Sequence, residues 1–295
     1  MKRMLALLLS AMMALSLAAC GGGAAGTQTG NAAQTGADSA AAGTEAASIS
    51  TVTPGKLTVA TSPDFAPYEF YAIDENGTPQ LAGFDVALAG YIANHLGLEL
   101  EMVPIDFDGV LMELQTKNVD LGLAGLSPDP ERESIMDFSD IYYKGGQSFV
   151  TVKGSEDKFP TLADTNNPDF QIGAQTGSIQ VGLAQENSPD AQIIQLTKVT
   201  DIIAELLAGK LDGAYIETAV AENYAVNYPE LAIILDVPYD VSGSAVGVSK
   251  GNAELLAAVN EAIAAAISDG SLDRFVAEAN ELSTGDIIEG LLENN

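Results

Sequence analysis

Two charged side chains stand where a chain folding for its own sake gains little from them. The first is Arg132, at the end of "GLSPDPER" (125–132), one of three arginines in the chain, of which Arg3 lies at the extreme N-terminus. Asp129-Pro130 has the form of a helix N-cap followed by proline at the first helical position. Arg132 is therefore expected in a first helical turn, where the helix dipole disfavours a cation by about 0.3–1 kcal/mol. Its charge needs an anionic partner, either its neighbours Glu131 and Glu133 or a group outside the chain. The second side chain is Glu217, which closes "GAYIE" (213–217) directly after an apolar run. Other reactive types are scarce. His95 is the sole histidine and Cys20 the sole cysteine. His95 falls near a helix end, where partial positive charge is favoured, and reads as structural. Disulfides, zinc clusters and thiol catalysis are excluded together. No His/Asp/Glu cluster has metal-ligand spacing, and no Ser-His-Asp set forms unless His95 supplies it. No cofactor is expected.

The elements that must position these two charges follow from periodicity. "KLTVAT" (56–61) reads as a strand ending at a turn. Phe84, Leu88, Tyr91, Ile92 and Leu96 recur at helical spacing, with Gly97 as the stop. "LELEMV", a helix over about 109–116 and the strand "VDLGLAG" follow, and a second series runs "FQIGAQ", helix, "AQIIQL", helix, "LDGAYI", helix. Alternation at this spacing predicts an α/β architecture with mostly parallel sheets. Within it, "ELQTKNVDLGLAG" (113–125) and "ELLAGKLDGAYIE" (205–217) lie in register without a gap, Glu113 on Glu205, Leu114 on Leu206 and Asp120 on Asp212. Each reads as a helix end, a tight turn and a strand. The register predicts two lobes of the same build and places Gly125 and Glu217 at matching strand ends, facing each other across a cleft. In open α/β sheets ligands bind at such ends.

Composition narrows the partners. The 295 residues carry 12 Lys+Arg against 41 Asp+Glu, a net charge of −29, which argues against nucleic acid and against charge-driven docking on an anionic membrane. "MKRMLALLLSAMMALSLAAC" (1–20) has a basic start, an apolar stretch and a small-residue end, the layout of a secretory signal peptide. "LAAC" resembles the bacterial lipobox, which makes Cys20 the expected site of lipidation. From 21 to 55 the composition collapses to Gly, Ala, Thr, Gln and Ser, too poor in apolar surface to repay ordering, and reads as a disordered tether.

"GFDVALAGYIANHLG", "DFDGVLMELQTKNVDLGLAGLSPDPERESIMDFSDIYY" and "SDGSLDRF" resemble the polar amino-acid-binding proteins of bacterial ABC importers, the family 3 extracellular solute-binding proteins, over about 56–280. The likeness is greatest to glutamine-binding members. It implies a two-lobed clamp of the periplasmic-binding-protein type with two hinge strands, lobe 1 over 56–146 plus 245–295 and lobe 2 over 147–244. The crossings would fall in "GGQSFVTV" (145–152) and "SGSAVGVS" (242–249). It further implies a monomeric, non-enzymatic receptor on the outer face of the cell membrane, of the Gram-positive type, that passes a free L-amino acid to an ABC permease.

The resemblance also assigns roles to residues. Arg132, with Ser127 and the helix start at Ser178, would hold the ligand carboxylate. Glu217, where most relatives have Asp, and the Gly125 carbonyl would hold its ammonium. Phe65 and Phe107 would flank the side chain, and Gln175 would reach its end. Ser62 stands where many relatives place an acid for basic or amide side chains. That departure favours polar or neutral ligands such as glutamine, with Asp64, Asp106 or Asp108 as alternative acids. A rival reading is a cyclohexadienyl or arogenate dehydratase on the same clamp, with Glu217 as general acid. A ligand-sensing module is a third.

Overall fold

The computed structural model describes residues 49–74, 76–240 and 243–285. The leader, Cys20 and the tether as far as residue 48 lie outside the described residues, as does Ser242 of the second expected crossing.

The chain runs β1 (Lys56–Thr61), a hairpin of β2 (Phe70–Ile73) and β3 (Pro79–Ala82), α1 (Phe84–Leu96), β4 (Glu99–Pro104), α2 (Phe107–Thr116), β5 (Leu121–Gly122) and β6 (Met136–Tyr143). Next come β7 (Gln147–Val152), β8 (Gln171–Gln175), α3 (Ile179–Asn187), β9 (Gln192–Leu196), α4 (Val199–Leu207), β10 (Gly213–Glu217), α5 (Thr218–Asn227) and β11 (Leu231–Asp236). The chain then returns through β12 (Ser244–Ser249) to α6 (Ala253–Ser268) and α7 (Ser271–Ser283).

Two five-stranded sheets result, in the orders β4-β1-β5-β12-β6 and β11-β7-β10-β8-β9. In the first, β4, β1 and β5 are parallel and β12 runs antiparallel to both β5 and β6. In the second, β9, β8 and β10 are parallel and β7 runs antiparallel to both β10 and β11. Read from the β9 side, the second sheet repeats the first strand for strand, with β10 standing for β5 and β7 for β12. The expected α/β fold and the internal repeat are both present, and each sheet with its helices forms one lobe. The sheets are mixed and not mostly parallel, because β12 and β7 each run antiparallel to both of their neighbours.

Local chemistry sets the elements. β1 lies inside its sheet, between β4 and β5, and is buried along nearly its whole length, as an apolar strand covered on both faces must be. α1 ends where Gly97 turns left-handed (φ 68°) and its N–H bonds back to Ala93 and Asn94. Phe84, Leu88 and Ile92 of α1 pack with Leu57 and Val59 on one face of the first sheet. Phe107, Val110 and Leu114 of α2 cover the other face, against Ala60, Leu126 and Met136. In the second lobe Val199, Ile202 and Leu206 of α4 lie over Val150 and Ala214. Phe149, Ile172 and Tyr215 fill the opposite face with Leu183 of α3.

The expected strand over "VDLGLAG" pairs only at Leu121–Gly122. The helix expected to start at Asp129-Pro130 is not an α-helix. Arg132–Ser134 form a single 3-10 turn, with Asp129 Oδ1 accepting from the Glu131 N–H at 2.7 Å.

Candidate functional site

Gly125, Ser127 and Arg132 come from the loop after β5, at the C-terminal edge of the first sheet. Gly125 adopts φ 56°, and a Cβ there would meet the Phe65 ring at 2.7 Å, so only glycine lets the loop approach the ring. Its N–H is committed to Asp85 Oδ2 at 3.0 Å, and its carbonyl accepts from no backbone N–H among the described residues. Asp85, fully buried, also accepts from the Tyr142 hydroxyl at 2.6 Å, and burial pushes its pKa up to about 6. Arg132 is 8% exposed. Its Nη1 donates to the Ser127 carbonyl at 3.2 Å and its Nη2 to the Gly177 carbonyl of the second lobe at 3.0 Å. The guanidinium lies 5.5 Å over the Phe107 ring. No carboxylate pairs with Arg132 among the described residues, and burial lowers its pKa to about 10. The dipole argument for its position therefore falls with the α-helix. What marks Arg132 is burial without an anion.

The second lobe supplies the opposite charge. Glu217 ends β10 and caps α5, with Oε2 accepting from the Val220 N–H at 2.9 Å. Its Oε1 accepts from the Tyr68 hydroxyl of the first lobe at 3.2 Å. It is 3% exposed, pairs with no cation among the described residues, and is pushed up to about 7 by burial, against the hydrogen bonds that favour its charged form. A Cβ at Gly145 would stand 2.6 Å from Glu217 Oε1, so a small residue is required beside it. Ser178 precedes α3 as its N-cap, but its hydroxyl turns back to the Gln175 carbonyl at 2.7 Å and leaves the first N–H groups of the helix uncapped by that side chain.

Phe65, Phe107, Gly125, Ser127, Arg132, Gln175, Ser178 and Glu217 all line one cavity between the lobes. Ser62 does not. It is buried behind Asp64, donating to Asp64 Oδ1 at 2.8 Å, while Asp64 Oδ2 accepts from Gln175 Nε2 at 3.2 Å. Asp106 and Asp108 are exposed outside the cavity, and His95 sits exposed against Tyr91. Further contributors, Ile179 among them, emerge only in the structure. Gln147 and Gln180 line the cavity, bonded to each other at 2.7 Å, and Tyr68 holds Glu217. Gln180 lies in the first turn of α3, two residues beyond Ser178, so the helix start singled out in the sequence brings it near the cavity although i and i+2 do not share a helix face. Gln147 and Tyr68 carry no such local signal. No metal-binding group occurs among the described residues. Chemically, the cavity offers a buried cation on one wall and a buried carboxylate on the other.

Residues 57–279 match the profile of the bacterial extracellular solute-binding proteins, family 3. The arginine-binding extracellular protein ArtP of Bacillus subtilis is 31% identical over 278 residues, covering 93% of this chain and 96% of its own. A crystal structure of the amino acid ABC transporter substrate-binding protein AbpA of Streptococcus pneumoniae, bound to L-arginine, superposes with a TM-score of 0.75 at 34% identity, covering 79% of this chain and 97% of that one. The cyclohexadienyl dehydratase of Pseudomonas aeruginosa is 28% identical over 65% of this chain and 70% of its own.

Proposed function

The chain belongs to the bacterial extracellular solute-binding proteins, family 3, and from that premise we propose that it is an amino-acid receptor of an ABC importer. The observation that carries this reading is the pair of buried, oppositely charged groups, Arg132 and Glu217, on facing walls of one cavity. A free α-amino acid is the ligand whose two ends match them. Its carboxylate meets Arg132, the Ser127 hydroxyl and the helix start at Ser178. Its ammonium meets Glu217 and the Gly125 carbonyl. Each buried ion then gains the counter-ion it lacks among the described residues. Phe65 and Phe107 flank the ligand side chain, whose polar end faces Gln175.

The ligand is a polar L-amino acid. L-arginine is the first to test, since ArtP and the pneumococcal protein are arginine binders by name or by bound ligand, and L-glutamine is the second. The two lobes, 56–146 with 245–295 and 147–244, close on the ligand about the crossings at 145–152 and 242–249, by the hinge motion of such clamps. The closed form docks on the permease. A lipid on Cys20 and the segment 21–55 hold a monomeric receptor at the outer face of the membrane, and C20S should release it to the medium.

A thermal-shift screen of the full chain with the twenty amino acids tests the reading. Saturating ligand stabilises by about 2.7 kcal/mol at 100 times Kd. A melting temperature unmoved by every amino acid would sink it.

Glu217 also sustains a second reading. A buried carboxyl that keeps its proton near neutral pH can act as a general acid, and a dehydratase is among the relatives. Incubation with prephenate or arogenate, followed by ultraviolet scanning for an aromatic product, separates the two.

A further inference from the structure

Asp64 takes no part in the pair of charges described above, yet more interlobe hydrogen bonds converge on it than on any other residue named here. It belongs to the first lobe, in the loop after β1, and is 9% exposed. Its Oδ2 accepts from the Val199 N–H at 2.5 Å and from Gln175 Nε2 at 3.2 Å, and its backbone carbonyl accepts from the Tyr224 hydroxyl at 3.0 Å. All three donors belong to the second lobe. Ser62 holds the other carboxylate oxygen at 2.8 Å and so fixes the rotamer.

Val199 is the first residue of α4, and the residue before it, Lys198, provides no side-chain cap. A lysine has no acceptor to offer a helix N-terminus. The start of α4 thus presents free N–H groups and the positive end of a dipole, with the Lys198 ammonium close by. The anion that meets them is on the other lobe. Lys198 also reaches toward Asp106 of the first lobe, 3.9 Å away.

We propose that Asp64 is the latch of the closed clamp, a first-lobe carboxylate that caps the second-lobe helix α4 only while the lobes are together. Separation leaves α4 uncapped and returns Asp64 to water. Gln175 joins the latch to the ligand cavity, because it lines the cavity and donates to Asp64 at once. Asp64 is therefore a positioning residue that sets how long the clamp stays shut, while the cavity walls decide what it shuts on. This inference rests on the reading of the protein as a closing amino-acid clamp.

The test uses the full chain with L-arginine and L-glutamine as probes, stopped-flow kinetics for their dissociation, and small-angle X-ray scattering for the compactness of the two-lobed body. Asp64→Ala should speed dissociation by about tenfold or more for whichever probe binds, leave the order of preference among amino acids unchanged, and enlarge the radius of gyration in the absence of ligand. Asp64→Asn, which keeps shape and an acceptor, should recover part of the loss. Tyr224→Phe, remote from the cavity lining, should act in the same direction and more weakly. An unchanged dissociation rate in both Asp64 variants would overturn the latch. So would a reordered preference, which would make Asp64 a ligand contact. Should the wild-type chain bind no amino acid, the functional reading fails, and the scattering comparison of wild type with Asp64→Ala still decides the latch, an unchanged radius of gyration overturning it.

Discussion

The Tyr68 hydroxyl of the first lobe donates to Glu217 Oε1 of the second across 3.2 Å, joining residues 149 positions apart. The Ser244 hydroxyl in turn donates to the Tyr68 oxygen at 3.3 Å. The bond holds the carboxylate in the cavity, but a neutral phenol does not offset its charge, and burial keeps Glu217 at about 7.

Ligand affinity should therefore depend on pH. An ammonium group pairs with ionised Glu217, so below about pH 7 binding must first remove a proton. Affinity should fall by about tenfold per pH unit in that range and level off above it. Calorimetry at several pH values in buffers of different ionisation enthalpy would measure both the slope and the proton released. Affinity that is flat from pH 5 to 8 would remove Glu217 from the ammonium site.

Stability of the ligand-free chain should run the other way. The folded pKa of Glu217 lies above the ordinary glutamate value of 4.5, so between about 4.5 and 7 the folded state holds a proton that the unfolded state releases. The contribution of Glu217 to stability then declines as pH rises through that window and is constant above it. Glu217→Gln removes the buried charge. It should raise the melting temperature of the ligand-free protein at pH 8 while abolishing the shift caused by amino acids.

Arg132→Ala should weaken binding of every amino acid by about 100-fold or more, because it removes the group common to all of them. Arg132→Lys should recover little, since an ammonium cannot reproduce the planar fork that reaches Ser127 and Gly177 together. Titration calorimetry across several ligands decides it. A variant that reorders preference and keeps affinity would contradict the assignment.

Phe107→Ala and Ser62→Ala should separate specificity from positioning. Phe107 lines the cavity beneath the Arg132 guanidinium, so its loss should change affinities unequally, by about fivefold for side chains that pack on the ring. Ser62 reaches the cavity only through Asp64, so its loss should weaken all ligands alike. A competition assay among amino acids would tell unequal from uniform losses.

Local rules made much of the framework legible. α1 stops at Gly97, Glu217 stands at the end of β10, and Ser178 precedes α3, because periodicity, a left-handed glycine and a strand followed by a helix are all short-range signals. The dipole argument that marks Arg132 in the sequence depends on a helix that does not form. The segment makes one 3-10 turn, and what isolates the charge is its burial against Phe107 and Gly177, which no window of sequence contains. Ser62 was placed in the cavity by likeness to relatives, and Asp64, two residues on, stands between it and Gln175. The pairs Tyr68–Glu217 and Gln147–Gln180 depend on which loops the two sheets bring together. A neutral side chain gives no sign in sequence of a partner so far away.

The return of the chain through β12 governs the order in which the molecule can be built. The second lobe's strands β7 to β11 form one unbroken stretch, 147–236, so that sheet can assemble as soon as it leaves the ribosome. The first sheet cannot. β12 lies between β5 and β6, and β6 has no other strand beside it among the described residues. The lobe synthesised first should therefore be finished last, with β6 awaiting a partner made about a hundred residues later. Pulse-labelled hydrogen exchange during refolding should show β8 and β10 protected before β6, and simultaneous protection would refute this sequence of events.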